Sequence, residues 1–304
     1  MEKKFHSFRM SDGNVVKMEA YHTLPSTAAL AKEYAEAGYP DRYVVFCERQ
    51  TTAPITGTRL KEGQSEEGVF MSCILRPSLF ASQSGFLGAM AAVALVTALD
   101  EHTSARLGIG WVSDIYCEGR RIGGAMLEGK LDRFTTFEYM ILTFAVRLDK
   151  EHFPPRITDM IRKVFESAVD SIPMIIGRTV LTRFFALYPF AKSPKKFMDT
   201  YADRFCLRGH KIKYRADGTA KAERVKVLGV DIASGALQVE SRKKQPLTIT
   251  SRGSVALPKR IRIPRKEEPK PNEKTPTADK DAENGAKKDA GGGSSDKNMK
   301  AKGK

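Results

Sequence analysis

Cysteine is scarce in this chain. Cys47, Cys73, Cys117 and Cys206 are the only four among 304 residues, and no two form a Cys-x-x-Cys pair. That spacing excludes a zinc ribbon or a thioredoxin-type redox motif and fits a reducing, cytoplasmic setting. Long apolar runs are missing too. The longest, near Ala89–Leu99, falls short of the roughly 18 residues that a membrane-spanning helix requires. The opening Met1-Glu2-Lys3-Lys4-Phe5-His6 leads into polar Ser11-Asp12-Gly13-Asn14, so no secretory signal is expected. From about Arg265 onward there is no aromatic residue and almost no large aliphatic one. Such a stretch cannot bury enough apolar surface to offset its ordering entropy, and residues 259–304 are read as a disordered basic tail.

What is present in excess is positive charge, +15 overall. Lys259 to Lys304 hold 14 Lys+Arg and 8 Asp+Glu, a net of +6, and the remaining +9 is spread along the chain. No basic run interleaved with aromatics lies in the part expected to fold. A general attraction to anions follows, whereas specific nucleic-acid binding is not indicated.

The 41% hydrophobic content supports a packed core over most of the chain. The pattern predicts strands at 15–21, 43–47 and 69–75, with a helix over 28–37 that Ser26 or Thr27 can cap and Gly38 can stop. A long polar loop, 51–68, separates the second and third strands. A strongly apolar helix follows at 85–99. Strands come next at 107–111, 115–117, 122–128 and 137–148, then helical spacing at 157–168, 180–188 and 193–204. Beyond that point short strands at 211–214, 222–231, 236–240 and 247–250 are divided by Asp217-Gly218 and Ser234-Gly235, which suggests a small barrel. The expected layout is α+β: a mixed or antiparallel sheet with helices over 1–205, a small C-terminal β-barrel over 206–258, and the tail.

Chemistry concentrates in the 111–124 stretch. Trp111-Val112-Ser113-Asp114-Ile115-Tyr116-Cys117-Glu118-Gly119-Arg120-Arg121-Ile122-Gly123-Gly124 sets an acid, two cations and a Gly-Gly on one strand–turn–strand unit. Paired glycines allow close backbone approach to a ligand, and an arginine beside them can grip a carboxylate or phosphate. An ordinary hairpin with its arginines in water is the competing reading. Cys117 has no acid–base motif beside it and reads as a small buried residue.

In order along the chain, these residues resemble the biotin protein ligases, which share a catalytic fold with lipoate ligases. The resemblance runs from about Val15 to Leu257. Leu24-Pro25-Ser26-Thr27 is similar to the family's Ser-Thr-Asn helix start, Val44-Val45-Phe46 to Gln50-Thr51 is similar to its strand leading into a Gln, and Gly68-Val69-Phe70-Met71-Ser72 is similar to Gly-Leu-Tyr-Leu-Ser, followed by Leu75-Arg76-Pro77. Trp111 to Gly124 resembles Trp-Pro-Asn-Asp-Ile-Tyr, turn, Lys-x-x-Gly, and Gly229 and Gly235-Ala236-Leu237 fit the family's terminal domain. The implied fold is the class II synthetase-like biotin/lipoate ligase fold with an SH3-like C-terminal barrel.

The implied reaction has two steps. Biotin's carboxylate attacks the α-phosphate of ATP, with Mg2+ as co-substrate, giving biotinyl-adenylate and pyrophosphate. A lysine of a biotin carboxyl carrier domain (acetyl-CoA carboxylase type) then takes the acyl group as an amide. No enzyme nucleophile and no tightly bound protein metal are needed; the protein aligns two anions and shelters the adenylate. By resemblance, Ser26, Thr27, Gln50, Trp111, Gly123 and Gly124 stand on the biotin side. Arg121 stands at the catalytic lysine position, and Arg59, Lys61, Asp114 and Arg147 stand on the nucleotide side.

The departures cluster on that nucleotide side. Arg121 replaces a lysine, which is not a conservative exchange at a tight site. The Gly/Arg loop over the adenylate is replaced by Ala53–Gly63, where Gly57, Arg59, Lys61 and Gly63 keep the residue types. The loop tryptophan for adenine has no counterpart. The Gly-x-Gly-x-Asn strand becomes Thr143-Phe144-Ala145-Val146-Arg147, where Phe144 and Arg147 are expected to add bulk and charge. Two readings follow: a ligase with a rebuilt adenylate grip, or a catalytically impaired member that binds biotin, an acyl-adenylate or a carrier domain as sensor or scaffold. Lipoate or octanoate as the acid ranks lower, because Ser26, Thr27 and Gln50 lean toward a ureido ring. A DNA-binding helix-turn-helix and a membrane partner are not expected, and a homodimer is allowed.

Overall fold

The computed structural model describes residues 3–10, 12–52, 64–79, 81–148, 171–216 and 221–262. The expected helix at 157–168, the loop cations Arg59 and Lys61, and the tail beyond 262 lie outside the described residues.

The larger sheet has eight strands: β1 (Lys3–Arg9), β2 (Val15–Leu24), β3 (Tyr43–Gln50), β4 (Glu66–Leu75), β5 (Leu107–Gly110), β6 (Asp114–Cys117), β7 (Arg120–Leu131) and β8 (Phe137–Arg147). Their spatial order is β1-β2-β3-β4-β8-β7-β6-β5. Only β2 and β3 pair in parallel, and α1 (Thr27–Glu36) makes the crossover between them. Ser26 caps this helix by accepting the N–H of Ala29 at 3.2 Å, and Gly38, at φ +85°, ends it in the left-handed region that glycine tolerates.

Both faces of the sheet are covered, so its central strands are nearly continuous apolar runs. Alternation along β8 shows the division. Met140, Leu142, Phe144 and Val146 face one core. Tyr139, Ile141 and Ala145 face the other, where α1 sits with Ala31 and Ala35. The first core is filled by α2 (Leu87–Asp100), α3 (Ile172–Leu187) and α4 (Lys195–Arg204). Helix α2 is buried nearly all round because small Ala side chains let neighbours approach on every side. Arg76 fastens α1 to the sheet by donating to the carbonyls of Ala35, Tyr39 and Glu138 at 2.8–3.0 Å.

β1 is an element that the sequence pattern does not reveal, and α3 begins eight residues before the expected start. The C-terminal sheet has five antiparallel strands, β9 (Lys211–Tyr214), β10 (Glu223–Val230), β11 (Leu237–Glu240), β12 (Pro246–Ile249) and β13 (Val255–Ala256), in the order β12-β11-β10-β9-β13. A one-turn 3-10 helix, Arg252–Ser254, joins β12 to β13. This is the meander of the expected SH3-like barrel. Its buried face holds Leu207, Ile212, Val225, Val227, Leu237 and Val239, and Trp111 and Tyr116 from the edge of the large sheet enter the same cluster.

Candidate active site

The site is laid out by strand register. One row crosses six strands on the α1 face: Cys47 on β3, Phe70 on β4, Ala145 on β8, Gly124 on β7, Asp114 on β6 and Gly110 on β5. The neighbouring row carries Val45, Ser72, Thr143 and Met126. Side chains two residues apart on a strand share a face, so Arg147 stands beside Ala145 on the opposite flank. The candidate residues from the sequence fall into three groups around this floor.

The first group is polar and uncharged. Thr27 donates its backbone N–H to Oε1 of Gln50 at 3.1 Å and its hydroxyl to the same atom at 3.3 Å. Ser72 donates to the Thr27 hydroxyl at 2.9 Å, and its own oxygen lies 2.9 Å from that of Thr143. All four residues are at most 5% exposed. Ser26, next to this string, spends its hydroxyl on the helix cap.

The second group is ionic. Oδ2 of Asp114 receives Nη1 of Arg121 at 3.5 Å and Nη2 of Arg252 at 2.8 Å. The backbone N–H of Arg121 donates to the carbonyl of Lys259 at 3.0 Å, and the hydroxyl of Tyr116 donates to that of Pro258 at 2.6 Å. The residues after β13 therefore pin the hairpin that carries Arg121. The third group is a buried ion pair: Nε of Arg147 lies 3.0 Å from Oε1 of Glu66. Glu66 is also the cross-strand partner of Gln50, which ties this group to the first.

Three expectations change in detail. Phe144 adds no bulk to this face; it points into the opposite core, edge-on to Phe184 with ring centroids 5.9 Å apart. The residues that replace the glycines on the floor are Thr143 and Ala145. Gly123 and Gly124 are needed for strand packing: a Cβ on Gly123 would overlap the carbonyl oxygen of Ala145, and one on Gly124 would overlap that of Ser113. Their close approach is to neighbouring strands rather than to open space. Trp111, set on the biotin side by resemblance, is 1% exposed in the C-terminal core and donates Nε1–H to the carbonyl of Gly235 at 2.9 Å.

The partners that sequence reasoning missed are Ser72, Thr143, Glu66 and Arg252. Ser72 and Thr143 do leave a signal, as lone hydroxyls on the same face of otherwise apolar strands. Arg252 leaves none, because 138 residues separate it from Asp114. The thiols offer no nucleophile: burial pushes Cys47, Cys117 and Cys206 up to about 12. Among the described residues no three metal-ligating side chains cluster, and no helix is long and apolar enough to cross a membrane.

No protein-family model matches the chain. It is 28% identical over 154 residues to the bifunctional ligase/repressor BirA of Bacillus subtilis, a match covering 50% of this chain and 47% of that protein. The chain spans about half the length of the curated relatives it matches. The apo biotin protein ligase of Aquifex aeolicus aligns with TM-score 0.58 and 18% identity, over 84% of this chain and all of the other. A biotin protein ligase from Aquifex aeolicus in complex with biotin and ATP gives 0.56 and 17%, over 79% and 97%. The chain belongs to the biotin protein ligase family. The biotin protein ligase fold is thus the α+β architecture read from the sequence, and the Thr27, Asp114 and Arg147 groups lie on the α1 face of its large sheet.

Proposed function

We propose that this chain is a biotin–carrier-protein ligase. The observation that carries the reading is the placement of a buried amide–hydroxyl string and an arginine–aspartate cluster around one floor of a biotin protein ligase fold. A ureido ring offers two N–H donors and one carbonyl acceptor, and Thr27, Gln50 and their hydroxyl neighbours match that demand. Ser26 flanks the head group at the helix start, and Gly123 and Gly124 keep the floor low by letting β7 lie close to its neighbours. Trp111 acts from behind, holding the C-terminal domain (206–258) against the Asp114 strand.

In the first step a carboxylate oxygen of biotin bonds to the α-phosphorus of ATP while the bond to pyrophosphate breaks. Arg121 neutralises the anions that must meet, and Arg59, Lys61 and Arg147 supply the remaining cations of the nucleotide side. Asp114 orients Arg121. Magnesium enters with ATP as its salt, held by the phosphates, as is usual for such sites. In the second step the Nε of a carrier lysine bonds to the acyl carbon, AMP leaves, and the lysine loses a proton to water. The partner is therefore a biotin carboxyl carrier domain that presents one exposed lysine. The chain's contribution is positioning, charge neutralisation and exclusion of water.

The test is incubation of the full chain with ATP, magnesium, biotin and a carrier domain, with mass spectrometry of the carrier and a pyrophosphate assay. The expected result is a single biotinyl adduct on a lysine with pyrophosphate release. Biotin binding without release would replace the ligase with a biotin sensor. Absence of both adduct and biotin binding would end the reading.

A further inference from the structure

The carboxylate of Asp114 serves two cations, and they come from different sheets. Arg121 on β7 reaches Oδ2 at 3.5 Å, the outer limit of a hydrogen bond, whereas Arg252 beyond β12 reaches the same oxygen at 2.8 Å. Arg252 is itself oriented, because its Nη1 donates to the carbonyl of Val255 at 2.7 Å. The side chains of Asp114 and Arg121 are only 10% and 14% exposed, so water screens their charges weakly. Two guanidinium groups on one carboxylate leave the trio with a net charge of +1. Without Arg252 the remaining pair would be neutral, and Asp114 would hold Arg121 alone.

We propose that Arg252 is a positioning residue for Arg121. By taking Asp114 Oδ2 it loosens the carboxylate's hold on Arg121 and leaves the trio positive, so that Arg121 can turn to a phosphate oxygen of the nucleotide. The inference rests on the ligase reading above for the identity of the anion. It makes the C-terminal sheet part of the nucleotide grip through charge.

Affinity for ATP should rank with the net charge of the trio. In calorimetric titrations with ATP, with and without magnesium, Arg252→Ala (net zero) binds about tenfold or more weakly than wild type, a modest effect for a unit charge in a partly buried site. Arg252→Lys retains most of the affinity. The double variant Arg252→Ala/Asp114→Asn returns to net +1 and recovers toward wild type, and Asp114→Asn alone binds at least as tightly as wild type. Biotin affinity stays unchanged throughout. A purely structural role would make the double variant worse than the single one, and that result overturns the proposal. So does wild-type ATP affinity in Arg252→Ala. If Arg252→Ala fails to fold, as circular dichroism would show, tenfold weaker binding by Asp114→Asn is the overturning result. Wild-type protein that binds ATP but releases no pyrophosphate with biotin defeats the ligase reading, while the affinity ranking still decides this one. Wild-type protein that binds no ATP defeats both.

Discussion

Thr27 and Gln50 are joined twice through one atom: the backbone N–H and the hydroxyl of Thr27 both end on Oε1 of Gln50, at 3.1 and 3.3 Å. The backbone group can only donate, so the amide is fixed with its oxygen toward α1 and its Nε2 away from it. The hydroxyl order follows from that anchor. Thr27 gives its proton to Gln50, Ser72 gives to Thr27, and Thr143 must give to Ser72. The string therefore offers N–H donors at the Gln50 end and oxygen lone pairs along the hydroxyls.

Gln50→Leu removes the anchor and strands the N–H of Thr27 in a buried position. An orphaned buried donor costs about 1–3 kcal/mol, so urea unfolding should show a loss of that size. Biotin binding should fall below detection in calorimetry. Thr27→Ser keeps every donor and should bind biotin within about threefold of wild type, on the scale of one altered methyl contact. Normal biotin affinity in Gln50→Leu would remove the head-group assignment.

A second prediction concerns Glu19, which is 2% exposed on β2. It accepts from the hydroxyls of Tyr21 and Tyr43 at 2.6 Å, from Tyr34 at 2.9 Å and from Lys3 at 3.3 Å. Burial pushes its carboxyl upward, but the hydrogen bonds from Tyr21, Tyr43, Tyr34 and Lys3 outweigh this and hold it below its ordinary value of 4.5. A carboxylate depressed on folding contributes stability above its unfolded value, and that stability is lost as pH falls through the folded value. Glu19→Gln should therefore be less stable than wild type by roughly 2–4 kcal/mol at pH 7, in line with the loss of charge-assisted bonds. The gap should narrow as pH drops below 4.5. Thermal melts of both proteins across that range test it, and a gap that does not change with pH refutes the cage.

Much of this fold was legible because apolar periodicity tracks burial. The α1 start at Ser26, its stop at Gly38, the apolar α2 and the 137–148 strand all carry local signals that the structure repeats. β1 was not legible. Its sequence KKFHSFR is charged and mostly exposed, as befits an edge strand, so it lacks the alternation that marks buried strands. Site residues were legible where a motif carried them, as for Thr27, Gln50, Asp114 and Arg121. Direction was harder to read. Phe144 and Ala145 are neighbours in sequence yet face opposite cores, and only the register decides which of them meets the floor. Arg252 and Glu66 were out of reach because their partners are fixed by tertiary pairing alone.

The glycine pair on β7 gives the last prediction, and it separates packing from ligand contact. A Cβ on Gly123 would overlap the carbonyl oxygen of Ala145 and lie 2.9 Å from both the Ala145 carbonyl carbon and the Val146 Cα. These are backbone atoms in the middle of the sheet, held on their other side by Phe70 and Val69 of β4, so they cannot retreat as a side chain would. Gly123→Ala should then cost about 3 kcal/mol, the upper end for overpacking a tight interior. Gly85 meets nothing within 4 Å, so Gly85→Ala should stay within about 0.5 kcal/mol of wild type, as for a surface change. Urea unfolding of the two variants measures the contrast. If Gly123 were conserved space for a ligand instead, its alanine variant would unfold like wild type and lose only biotin affinity. Loss of stability in the absence of any ligand is the result that assigns this glycine to the β7–β8 contact.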